Sequence, residues 1–259
     1  MNRINALFQN KQKNILSVYF TAGHPSINST TEIIRTLANS GVDMIEIGMP
    51  FSDPMADGPI IQNSSNTALK NGMSLKILFQ QLNDIRQDVK IPVLLMGYLN
   101  PVLQYGMEKF CSDAASIGID GIILPDLPLE VYQKEYQSVF TGYGLHNIFL
   151  VTPQTKEERI RKIDALGNGF IYMVSSSSTT GIKGIFGPDQ VDYFERMQDM
   201  KLKNPMLIGF GISNNESFNT VCKYAHGAII GSAFVKMISE SEDIRGNIIS
   251  FVKEIKEGK

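Results

Sequence analysis

Two carboxylates frame the most informative stretch of the chain, Ile45-Glu46-Ile47-Gly48-Met49-Pro50-Phe51-Ser52-Asp53-Pro54-Met55-Ala56-Asp57-Gly58-Pro59. Glu46 lies between two isoleucines in a run that reads as a strand. Asp57 follows in a loop stiffened by Pro50, Pro54 and Pro59. A carboxylate inside an apolar element is costly unless it is paired or used. No other strand-like run carries a Lys or Arg to pair with it, which favours acid–base work for Glu46 over a structural ion pair. Asp57 beside Gly58, and Asp53 before Pro54, read equally well as turn chemistry.

Two glycine turns point to a second kind of chemistry. Gly209-Phe210-Gly211-Ile212-Ser213 and Gly231-Ser232-Ala233 each follow a strand-like run and precede a helical one. Glycine lets a backbone approach an anion closely, and a helix N-terminus offers free N–H groups to it. Together the two turns predict a phosphate site. The small, polar segment 175–187 begins just after the run containing Tyr172, and that placement predicts a lid. His24, His146 and His226 are dispersed without metal-ligand spacing. No Walker loop and no nucleophile elbow is present.

The elements that must hold these residues alternate. β-rich runs occur at 15–22, 44–49, 91–97, 121–125, 147–151, 170–174, 205–210 and 227–231. Helical spacing lies between them, as over Ser29 to Asn39, Lys156 to Leu166 and Asp243 to Lys256. Strands alternating with helices imply βαβ units and a parallel sheet. Eight such units fit a single-domain α/β fold over 1–259, a (β/α)₈ TIM barrel, with an extra N-terminal helix near Ile4 to Asn10 covering its floor. A doubly wound open sheet is the alternative. In a barrel the active site lies at the C-terminal strand ends. Strand alternation turns Ile45 and Ile47 toward the helices and Met44, Glu46 and Gly48 into the barrel. It likewise turns Phe170, Tyr172 and Val174 inward.

Composition narrows the partners. The formal net charge of −2 gives no basic surface for nucleic acid or an anionic membrane. Cys111 and Cys222 lack CxxC spacing and are expected as buried free thiols. The polar N-terminus is unlike a signal peptide, and no apolar run reaches the length of a membrane span. A soluble, cytoplasmic protein is expected.

At this point the residues resemble a known family, the tryptophan synthase α subunits. The match is carried by E-x-G-x-P-F-S-D-P-x-A-D-G-P, by YFTAGHP, LMGYLNPVLQYG and PDLP, by the loop ending TTG, and by the GFGIS and GSAFVK turns. These run in order from about residue 15 to 236. The resemblance implies cleavage of indole-3-glycerol phosphate to indole and glyceraldehyde 3-phosphate. It implies Glu46 as general acid/base, Asp57 as the second carboxylate and Tyr172 beside them. Tyr19, Ile61, Met96, Leu124, Leu150 and Phe210 would line the indole pocket. Gly181, Gly211, Gly231 and Ser232 would hold phosphate, and Thr180 would bond Asp57 when the lid closes. It implies no metal and no cofactor in this chain, with pyridoxal phosphate (PLP) confined to a β-subunit partner in an α2β2 complex. Asp53 and Pro54 would face that partner. Tyr19 replaces an expected phenylalanine, and SSSSTTG replaces the S-R-x-G-x-T-G pattern of many members. A stand-alone lyase of the same fold, a sugar-phosphate isomerase and a non-catalytic activating subunit are the competing readings.

Overall fold

The computed structural model describes residues 1–175 and 186–258. Eight parallel strands run β1 Ile15–Thr21, β2 Met44–Gly48, β3 Val93–Met96, β4 Gly121–Ile123, β5 His146–Val151, β6 Ile171–Val174, β7 Met206–Gly209 and β8 Gly227–Ile230. Each pairs with the next, and β1 also pairs with β8, so the sheet closes into a barrel. That last pairing excludes the doubly wound alternative. β4 is shorter than the run 121–125 because Pro125 cannot donate to a ladder, and Leu124 accepts from the Leu127 N–H in a turn instead.

Helices fill the crossovers as the periodicity requires. Ser29–Asn39 buries Ile33, Ile34 and Leu37. Glu157–Leu166 buries Ile160 and Ile163. Ile244–Glu257 buries Ile248, Val252 and Ile255 and is capped by the Asp243 carboxylate, which accepts from the Gly246 N–H. The core has two parts. One lies between sheet and helices and includes Ile45, Ile47, Ile171 and Met173. The other fills the barrel and contains Met44, Leu94, Ile123, Phe170, Tyr172, Val174, Leu207 and Ile229. The strand alternation read from the sequence therefore holds at β2 and β6. Both cysteines are buried and free.

The helix Arg3–Asn10 plugs the barrel floor, with Ile4, Leu7 and Phe8 packed into the interior cluster. A buried carboxylate, Asp120, fastens that end. It accepts from Arg3 at 3.0 Å, from Arg86 at 2.5 Å and from the Val93 N–H at 2.9 Å. The Asn2 amide donates to the Asp120 carbonyl at 2.8 Å. Among the described residues, no helix is long and apolar enough to cross a membrane.

Candidate active site

Glu46 points into the barrel from β2 and is fully buried. Its Oε1 accepts from the Ser17 hydroxyl at 2.8 Å, and its Oε2 has no partner among the described residues. Burial pushes this carboxyl up to about 8, with the Ser17 hydrogen bond opposing the rise. Asp57 sits in the loop after β2. Its backbone N–H donates to the Pro54 carbonyl, closing a turn. Gln62 donates to the Asp57 carbonyl at 2.9 Å from the first turn of the Pro59–Lys70 helix. The Asp57 carboxylate accepts from the Tyr98 hydroxyl at 3.0 Å. Burial raises its pKa and this hydrogen bond opposes the rise. Two carboxyl groups near one mouth thus occupy unlike surroundings, one fully buried in the interior and one on a half-buried loop.

Tyrosines join them. Tyr172 is buried on β6, and its ionisation is suppressed by desolvation, then by the fields of Glu46, Tyr19 and Asp57. Tyr19, on β1 opposite Glu46 in the ladder, is raised by desolvation and by Asp57 and Glu46 in turn. Two strand glycines make room for these rings. A Cβ on Gly48 would collide with the Tyr19 hydroxyl, and one on Gly209 would lie 2.5 Å from that of Tyr172. Phe210 meets Tyr172 edge-on, with ring centroids 6.4 Å apart. Tyr19, Met49, Phe51, Asp57, Met96, Tyr98 and Pro125 line a cavity of about 20 Å³ at the mouth, room for about one water.

The two glycine turns stand at the ends of β7 and β8. Phe210 and Gly211 take the left-handed region at φ 73° and 75°, a conformation natural only for the glycine. The Ser175 hydroxyl donates to the Phe210 carbonyl at 2.7 Å, tying the end of β6 to this turn. Gly231 precedes the Ser232–Ser239 helix, whose first N–H groups lack intrahelical acceptors. Asn214 caps the Asn215–Val221 helix through the Ser217 N–H. Among the described residues, no group of His, Cys, Asp and Glu is arranged to hold a metal ion.

The profile of the tryptophan synthase alpha chain family matches residues 5–258. The tryptophan synthase alpha chain of Flavobacterium johnsoniae is 59% identical over 256 residues, covering 99% of this chain and 100% of the relative. This chain belongs to the tryptophan synthase alpha chain family. That of Bacteroides thetaiotaomicron is 53% identical over 256 residues, covering 99% of this chain and 100% of the relative. Among solved structures, tryptophan synthase subunit alpha from Legionella pneumophila superposes with a TM-score of 0.90 at 34% identity, covering 99% of this chain and 98% of that one. A chain of Mycobacterium tuberculosis tryptophan synthase in its aminoacrylate-bound form superposes with a TM-score of 0.87 at 26% identity, covering 100% of this chain and 99% of that one. The chain is a carbon–carbon lyase of tryptophan biosynthesis, cleaving indole-3-glycerol phosphate to indole and glyceraldehyde 3-phosphate.

Most residues that the family resemblance singles out converge on this mouth. Met96, Leu150 and Phe210 pack with Tyr172, and Tyr19 and Asp57 border the cavity. Two expected pocket residues are placed otherwise. Leu124 packs among the helices, because alternation along β4 turns Ile123 inward instead, and Pro125 reaches the cavity. Ile61 is also buried in the outer cluster. On the loop, Asp53 is exposed as expected, but Pro54 is buried and Met55 is the exposed neighbour. A buried Pro54 offers no outer surface, so the exposed side of this loop is Asp53 with Met55. Thr180, Gly181 and most of the 175–187 lid lie outside the described residues. Ser17 and Tyr98, which hold the two carboxylates, did not stand out in the sequence.

Proposed function

We propose that Glu46 is the general acid/base of indole-3-glycerol phosphate cleavage and that Asp57 stabilises the charge formed on the ring. A proton from Glu46 adds to ring carbon C3, which places positive charge on the ring N–H. The Asp57 carboxylate, held by Tyr98, stabilises that cation. Glu46, now ionised, accepts the proton of the side-chain hydroxyl. The C–C bond breaks, the aldehyde carbonyl forms, and the bonding electrons return to the ring to give indole. Glu46 ends protonated, ready for the next turnover. The ring serves as the electron sink, so the step calls on no cofactor in this chain.

The observation that carries this reading is Glu46 itself: a buried carboxyl with one oxygen unpartnered among the described residues, raised into the range where it can both give and take a proton near neutral pH. Tyr172 shapes the inner wall beside it. The turns at Gly211 and Gly231–Ser232, with Gly181 of the lid, bind the phosphate, and Thr180 meets Asp57 on closure. Tyr19, Met96, Leu150 and Phe210 hold the indole. A purely activating subunit would have no use for an orphaned carboxyl of this kind. The partner is a β subunit in an α2β2 assembly, docking on the exposed side of the Asp57 loop and receiving indole. PLP belongs to that partner.

The deciding experiment is indole release from indole-3-glycerol phosphate by the wild type and by Glu46→Gln, each with and without β subunit. The amide keeps the shape but cannot shuttle a proton, so turnover should fall by about 10²–10⁴-fold. Near-normal turnover in the variant would overturn the assignment.

A further inference from the structure

β1 presents Ser17, Tyr19 and Thr21 at alternate positions, so three hydroxyls point into the barrel from one strand. Thr21 is engaged with Ser64, the two hydroxyl oxygens lying 2.6 Å apart. The Ser17 hydroxyl is engaged with Glu46 and, among the described residues, with no other side chain, and it has no exposure to solvent. In the ladder Ser17 stands opposite Met44 and Tyr19 opposite Glu46. Ser17 is therefore one step nearer the floor and reaches the carboxyl from below.

We infer that Ser17 is a positioning residue for the acid/base: its hydroxyl pins Oε1 of Glu46 and commits Oε2 to the proton transfers. This rests on the catalytic reading of Glu46. The geometry suits both protonation states. With the proton on Oε2, Oε1 is a carbonyl oxygen that accepts from Ser17. With the proton given away, Oε1 is a carboxylate oxygen that accepts from Ser17 more strongly. The hydroxyl thus fixes the carboxyl plane throughout the cycle and favours the ionised form.

The remaining surroundings of Glu46 supply no substitute. Glu46 acts on Tyr19 from β1 and on Tyr172 from β6, Asp57 from the loop after β2 acts on the same two tyrosines, and none of these groups is cationic. Leu94 from β3, Ile123 from β4, Ile148 from β5, Leu207 from β7 and Ile229 from β8 are apolar neighbours in the same interior. Ser17 is the one hydrogen-bond donor to this carboxyl among the described residues. Without it, neither oxygen of Glu46 would have a partner among the described residues, the buried carboxyl would lose its fixed plane, and its ionised form would be reached only at higher pH.

The test compares wild type, Ser17→Ala, Ser17→Thr and Glu46→Gln. The pH profile of indole formation is measured for each active protein. The titration of the Glu46 carboxyl is followed separately by infrared difference spectroscopy, with Glu46→Gln as the blank. Ser17→Ala should move both the carboxyl midpoint and the matching limb of the profile upward by about one pH unit, with kcat falling more than KM rises. Ser17→Thr, which keeps the hydroxyl, should restore both. An inactive Glu46→Gln together with an unshifted Ser17→Ala midpoint and profile would overturn this proposal alone. A pH-independent loss in Ser17→Ala would also overturn it, since that is what a packing defect gives. Turnover surviving in Glu46→Gln would overturn the catalytic reading beneath it.

Discussion

The hydroxyl of Tyr98 joins two points of one loop: it donates to the Asp57 carboxylate at 3.0 Å and accepts from the Ala56 N–H at 3.0 Å. One side chain from the end of β3 thereby fixes both the charge and the backbone of the loop that follows β2. Its ring is in turn held by Phe51, with centroids 5.2 Å apart.

Tyr98→Phe should keep the ring contact and lose both hydrogen bonds. Asp57 would then be free to swing from the ring nitrogen of the substrate. A charge-assisted hydrogen bond of this kind is worth about 1.5–3 kcal/mol, so kcat/KM should fall by at least about tenfold. Steady-state kinetics on both proteins decide it. Unchanged kcat/KM would mean that Asp57 is positioned by something else.

The raised pKa of Glu46 has a consequence for stability. The folded protein holds this carboxyl at about 8 against an ordinary 4.5. Burial therefore favours the protonated form, and between those pH values the unfolded chain releases a proton that the folded one keeps. The stability tied to the protonated state is present below about pH 4.5 and is lost progressively as the pH rises to about 8. A tenfold difference in proton affinity between the folded and unfolded chains corresponds to about 1.4 kcal/mol. Glu46→Gln, which has no proton to lose, should gain stability relative to wild type as the pH rises from 5 to 8. Urea unfolding of both proteins at the two pH values measures this; a constant difference between them would contradict it.

Gly209→Ala should impair Tyr172 specifically. The new methyl would press on the Tyr172 ring and hydroxyl, and overpacking of a filled interior costs about 1–3 kcal/mol. Lower thermal stability and lower kcat are expected together. In a Tyr172→Phe background the hydroxyl part of the clash is absent, so the stability loss should shrink. Full additivity of the two changes would refute this account.

Asp53→Ala should leave the isolated chain nearly as active as wild type and weaken its activation by a β subunit. Asp53 is exposed beside Met55, at 88% exposure the outermost apolar side chain of the loop. Docking there would stiffen the segment carrying Asp57, where a displacement of about 1 Å can cost about 10²-fold. Indole production alone and at saturating partner gives the two ratios, and equal fold-activation in both proteins would remove the loop from the coupling.

The period-two and helical patterns make the barrel legible, and they make Glu46 legible through its parity with Met44 and Gly48. Leu124 escapes them because Ile122, Ile123 and Leu124 form an unbroken apolar run with no polar residue to mark which face is which. Ser17 does carry a signal, since hydroxyls recur at every second position of a strand that pairs with the one bearing Glu46. Tyr98 carries none: its bond to Asp57 spans 41 residues and joins two loops, a relation created only when β2 and β3 lie side by side. Asp120 is equally hidden, since its two arginines come from a terminal helix and a distant crossover.

The floor plug has its own implication for how the molecule is made. The helix Arg3–Asn10 leaves the ribosome ahead of the barrel strands, yet its anchor at Asp120 is 117 residues further along the chain. During synthesis the helix must wait, with Ile4, Leu7 and Phe8 uncovered, until β4 has emerged. The barrel interior that would bury them is completed only when β8 joins β1. A helix translated ahead of the barrel strands is thus among the last elements to be sealed, and over that interval its apolar face is what a nascent-chain chaperone would find.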